Sequence, residues 1–150
     1  MAIPSTKDRV PDHTAEHVNR QIIQDTEASI HAHSGAPDTI AARLQALEQE
    51  WDIERAIEAN ASTLAFIGVL LGYFVHPYWL ILPGLVMGFL FQHAIQGWCP
   101  PIPVLRRLGF RTATEIEAER QSLKILRGDY AGLEGDRARI STILATVYSS

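Results

Sequence analysis

Residues 59–98 read "ANASTLAFIGVLLGYFVHPYWLILPGLVMGFLFQHAIQGW". From Ala61 to Ile95 this stretch holds no Asp, Glu, Lys or Arg. It is too long for one membrane-spanning helix, which needs about 20 apolar residues, and the right length for two. "HPY" at 76–78 divides it. Pro77 disfavours helix at His76 and suits the first turn of a new helix. The expected elements are a helix over 57–75 and a second over 77–96. Pro83 reads as a mild kink or a first-turn residue, both tolerated in membranes.

The residues at the two ends agree with a hairpin. Tyr73, Phe74, Tyr78 and Trp79 cluster at its tip, and Trp51 and Trp98 lie near its other end. Trp and Tyr favour membrane interfaces. Arg43 and Arg55 precede the hairpin, Arg106, Arg107 and Arg111 follow it, and the tip carries none. The positive-inside rule then places both termini in the cytoplasm. Trp51, Tyr73, Tyr78, Trp79, Trp98, Arg106 and Arg107 are the expected interface anchors. The alternative is a buried hairpin in a soluble helical protein, which charge-free centres of spanning length fit less well.

Each helix carries glycines four apart, Gly68 with Gly72 and Gly84 with Gly88. Such pairs let another helix approach closely, so all four are expected at helix contacts. The spacing leaves open whether that helix belongs to the same chain or to a second copy.

The flanks are polar and periodic. Residues 37–58 read as an amphipathic helix with Ile40, Leu44, Leu47 and Trp51 on one stripe, continuous with the first membrane helix. "PPIP" at 100–103 is expected to enforce an extended passage. Thr112 with Glu115 and Thr114 with Glu117 fit capping boxes. They open a helix with Ile116, Leu123, Leu126 and Tyr130 on one face, stopped by Gly128 or Gly132. Ile140, Ile143, Leu144 and Val147 have helical spacing. Residues 1–36 read as flexible and partly helical, with Val18, Ile22, Thr26 and Ile30 aligned. The segments are therefore 1–36, 37–58, the hairpin 57–98 and a helical segment 99–150. "MAIPSTKDRVPDHTAEH" contains no apolar signal-peptide core.

Composition excludes some functions. The 150 residues carry a formal charge of −4, against a nucleic-acid binder. His13 and His17 have a spacing that puts two imidazoles on one helix face, and His31 and His33 follow. No cysteine or carboxylate pattern completes a site, so no metal or cofactor is assigned. Asn60, Gln92, His93 and Gln96 form an expected polar cluster near one interface, where hydrogen bonding is the main reading. Haem ligation by His76 and His93 is the lesser one. Arg127-Gly128-Asp129 reads as a charged helix end. No phosphate-binding glycine loop and no nucleophile elbow is present.

The single cysteine, Cys99, follows Trp98 and precedes Pro100. Nearby positive charge lowers a thiol's pKa, which would suit a nucleophile or sulfur carrier. No second thiol accompanies it, and packing against the Pro100-Pro101 turn is the main reading. Palmitoylation and metal ligation rank below both.

Residues 53–112 resemble the YgaP-like inner-membrane domain of bacteria. The residues that carry the resemblance are Glu54-Arg55, the glycines Gly68 and Gly72, then Gly84 and Gly88, Gly97-Trp98-Cys99-Pro100, and Leu108-Gly109-Phe110-Arg111-Thr112. The resemblance implies a two-helix hairpin that commonly dimerises. Some members carry a rhodanese domain, for which this chain has neither the length nor the active-site loop. Three functions follow as expectations. The leading one is a non-catalytic accessory or scaffold protein of the bacterial inner membrane, a homodimer or a subunit of a larger complex. The second is a sulfur carrier using Cys99. The third is an oligomeric channel or transporter.

Overall fold

A computed structural model describes residue 5 and residues 7–130. All regular structure among them is helical: α1 Glu16–His33, α2 Pro37–Gln49, α3 Ile53–Phe74, α4 Ile81–Gln96, α5 Ile102–Arg107 and α6 Ala113–Arg127. Short 3-10 turns occupy Pro11–His13 and Pro77–Leu80. The chain divides into two compact units. Among the described residues, the first comprises those up to Ile22 with Trp51–Thr114; the second comprises Ile23–Glu50 and those from Glu115 to Tyr130.

The first unit is built on the antiparallel pair α3 and α4. Asp52 stops any helix running in from the N-terminal side and starts α3, its carboxylate accepting from the Arg55 amide at 2.7 Å. Such a cap satisfies one of the free amides of a first helical turn. Residues 37–74 are therefore not one helix: backbone at Glu50 and Asp52 is extended, and α3 begins four residues earlier than its hydrophobic pattern indicates. Its 22 residues rise about 33 Å, the thickness of a bilayer's hydrocarbon core. The segment Pro77–Gln96 is the second stretch long and apolar enough to cross a membrane. His76 breaks the chain as expected, in extended backbone, and its imidazole accepts from the Tyr78 amide. The first turn after Pro77 is 3-10 rather than α, and Pro83 falls in the first turn of α4, where it costs no hydrogen bond.

α4 ends at Gly97, whose φ of +77° is left-handed. Its amide donates to the His93 carbonyl at 2.8 Å. The prolines that follow do not enforce an extended passage. Pro101 takes the N-cap position and Pro103 the first turn of the short α5, where a missing amide hydrogen is harmless. The chain then returns, and the Ile53 amide donates to the Arg111 carbonyl at 2.8 Å. Val10, Ile53, Ile57, Cys99 and Ile102 form the core at the base of the hairpin. Within the N-terminal segment, Pro11–His13 form a 3-10 turn and Glu16–His33 a helix. Val10 belongs to that core, and α1 begins at Glu16 with Val18 and Ile22 buried.

In the second unit Ile40, Leu44 and Leu47 of α2 pack with Ile116 and Leu123 of α6 and with Ile30. The stripe read from the sequence holds except at its ends: Trp51 lies beyond α2 and is exposed, as is Leu126. A charged cluster sits beside this core. Glu119 is fully buried and accepts from Arg43 Nε at 2.8 Å, Arg43 Nη2 at 3.0 Å and Ser29 Oγ at 2.6 Å. Nothing in the hydrophobic periodicity marks it. The stripe of residues 140–147 lies outside the described residues.

Candidate functional site

The seam between α3 and α4 is closest near the tip. A Cβ on Gly68 would lie 2.5 Å from Pro83 Cδ, and one on Gly72 would lie 2.5 Å from Leu80 Cδ2. These two glycines lie at the contact between α3 and α4. Gly84 and Gly88 lie outside that contact. Both are exposed, with no atom within 4 Å of an added Cβ, because the face of α4 turned to α3 carries Pro83, Val86 and Leu90 instead.

At the base of the hairpin the seam closes on charge. His93, only 4% exposed, brings Nε2 within 2.5 Å of Glu54 Oε2. Glu54 Oε1 accepts from Arg9 Nη2 at 2.9 Å, and Arg9 Nη1 donates to the Ala94 carbonyl at 3.3 Å. The His13 ring meets the Gln96 carbonyl at 3.1 Å. Gly97 lets this segment lie flat on the helix end, since a Cβ there would fall 2.4 Å from the Arg9 carbonyl oxygen. The segment 9–13 is thus a strap across the base of the hairpin, with His93 Nδ1 buried and lacking a hydrogen-bond partner. The sequence reading singled out His93 but not Arg9 or the strap. The only available signal was Glu54, an acid in the first turn of an otherwise apolar helix.

The expected polar cluster is divided. Gln92 and Gln96 face each other at 3.5 Å, His93 turns to Glu54, and Asn60 lines a cavity. That cavity, about 220 Å³, lies between Ile57, Ala61 and Leu64 of α3 and Val86, Phe89 and Leu90 of α4. Cys99, Pro100 and Pro101 line it as well.

Of the expected anchors, Tyr73, Tyr78, Trp79 and Trp51 are exposed. Arg55 stacks on the Trp51 ring at 4.5 Å, and Trp98 meets Phe89 edge-on at 6.3 Å. Arg107 is exposed. Arg106 is not an interface anchor. It is 1% exposed, donating to the Phe110 carbonyl at 3.2 Å and to Asn19 Oδ1 at 2.9 Å. Its place on α5 turns it inward, where Nη1 and Nη2 donate to these acceptors and Nε is buried without one.

Cys99 is 5% exposed, and burial pushes its thiol pKa up, opposite to the shift a reactive thiol needs. Among the described residues no group of three or more His, Cys, Asp or Glu is placed to hold a metal. Arg127 and Asp129 pair with each other around Gly128, which ends α6 in a left-handed turn.

No protein-family model, no curated protein and no solved structure matches this chain.

Proposed function

We propose that the chain is a non-catalytic accessory or scaffold protein of the bacterial inner membrane, crossing the bilayer as the α3–α4 hairpin with both termini in the cytoplasm. It acts either as a homodimer or as a subunit of a larger membrane complex. One observation carries this reading. The seam uses a single stripe of each helix, and between residues 61 and 95 the outward surface of both helices carries no charged residue and is mostly apolar. Phe66, Phe74 and Phe91 are 64%, 74% and 68% exposed. A soluble protein rarely exposes so continuous an apolar surface, whereas lipid covers it without cost. The resemblance to the YgaP-like domain supports the same reading, and the open Gly84–Gly88 face of α4 suits the approach of another helix.

The sulfur-carrier alternative draws no support from Cys99, which is buried and whose thiol is shifted toward the neutral form. A channel would need several copies, since two helices enclose no pore.

Purification in mild detergent, with identification of what co-elutes, tests the accessory role. A stable partner or a defined oligomer is expected, and a monodisperse single copy with no partner overturns it. Thiol labelling tests the topology. In the Cys99→Ser background, Pro77→Cys is expected to label from outside intact cells and Gly35→Cys only after lysis. The reverse pattern overturns the orientation.

A further inference from the structure

We propose that the cavity between α3 and α4 is a binding site for one acyl chain of a membrane phospholipid. The inference rests on the membrane reading above and adds an occupant to it. Ile57, Asn60, Ala61 and Leu64 recur at the spacing of one helix face, and Val86, Phe89 and Leu90 do the same on α4. Gly68 and Gly72 draw the two helices together toward the tip, and the strap closes the opposite end through Glu54 and His93. Between those two contacts α3 has no glycine turned to α4, so the helices leave a gap.

The chemistry of the gap selects its occupant. Its lining carries no charged group, and its polar groups are the Asn60 carboxamide and the neutral Cys99 thiol. Pro100 and Pro101 have no amide hydrogen, so they present no donor that an apolar guest would leave unsatisfied. The space of about 220 Å³ is a groove open on one side, where Leu64 and Phe89 are partly exposed, rather than a sealed cavity. Water has too few partners here, and a hydrocarbon chain has contacts on every wall. Leu64 and Phe89 also belong to the exposed apolar surface, so the gap adjoins the region where lipid tails lie. A linear chain enters from there without crossing water.

The full chain, reconstituted in phosphatidylcholine vesicles containing a phosphatidylglycerol with a diazirine in the upper half of one acyl chain, supplies the test. After illumination, peptide mapping is expected to find the label concentrated on Leu64, Val86, Phe89 and Leu90. Ala61→Phe fills the gap and is expected to lower that labelling about tenfold, because a bound ligand depends on burying most of its surface. Leu64→Trp blocks the mouth and serves the same purpose if Ala61→Phe does not assemble. Label spread evenly over outward residues such as Phe66 and Phe91, and unchanged in both variants, overturns the acyl-chain site and leaves the membrane reading standing. Release of an unlabelled chain from the vesicles by alkaline carbonate overturns both.

Discussion

Glu54 and His93 stand 39 residues apart in the chain and meet at 2.5 Å between Oε2 and Nε2. The contact joins the first turn of α3 to the last turn of α4, and Arg9 completes it from a third segment. Glu54 is therefore the acceptor through which the strap and the helix pair hold each other. Replacing Glu54 by Ala leaves two donors near a dry seam without their acceptor, a loss of about 1–3 kcal/mol. Glu54→Gln keeps an acceptor and should cost less. Thermal unfolding of both variants in one detergent measures the difference. Equal losses would show that the carboxylate's charge matters more than its hydrogen bonds.

The glycines should separate into two classes. Gly68→Ile and Gly72→Ile drive a side chain into Pro83 and Leu80, and both are expected to lower the unfolding temperature of the hairpin. Gly84→Ile and Gly88→Ile meet open space and should leave the unfolding temperature of a single copy unchanged. If a second copy packs on that face, the same two changes lower the oligomer fraction in cross-linking. Thermal scans and cross-linking together distinguish the two effects.

Gly97→Ala faces two obstacles at once. The backbone is left-handed there, which costs about 1–2 kcal/mol for most residues, and the new methyl collides with the Arg9 carbonyl. The strap is expected to detach while α3 and α4 stay paired. Limited proteolysis should then cut near residues 9–13 in the variant and spare them in the parent chain.

Cys99 should behave as a buried neutral thiol. Its raised pKa leaves less thiolate at neutral pH than an ordinary cysteine has, so alkylation should be slow there. The sign for pH follows from the same shift: the rate should climb at a higher pH than for an exposed thiol. Timed alkylation across a pH series, read by intact mass, checks it. Cys99→Ala should disturb folding less than Cys99→Ser, since the pocket around Sγ holds few partners for a hydroxyl.

Glu119 anchors the other unit. Glu119→Ala leaves the Arg43 guanidinium, 23% exposed, with only the longer contact to Glu50 at 3.7 Å, and the loss is expected below the roughly 3–5 kcal/mol that breaking a fully buried pair costs. Replacing Arg43 and Glu119 together by Met and Leu should restore much of that loss. Denaturant unfolding followed by circular dichroism measures both.

The hairpin was legible because its cause is local. An uncharged run of spanning length, a break at His76-Pro77 and arginines only on the flanks depend on nothing distant in the chain. The amphipathic stripe of Ile40, Leu44 and Leu47 was legible for the same reason, since period alone places these residues on one face. Periodicity does not say which neighbour a residue will meet. Gly68 and Gly84 look alike in sequence, yet one lies under Pro83 and the other faces outward, because the rotation of α4 about its axis is set by packing. Arg106 reads as a flank charge until α5 turns it onto Asn19 and the Phe110 carbonyl. Arg9, Glu54 and His93 carry no shared spacing, and only folding back of the N-terminal segment brings them together. Hydropathy and charge act along the chain and can be read there; partner choice is a property of three-dimensional contact, which only the tertiary structure decides.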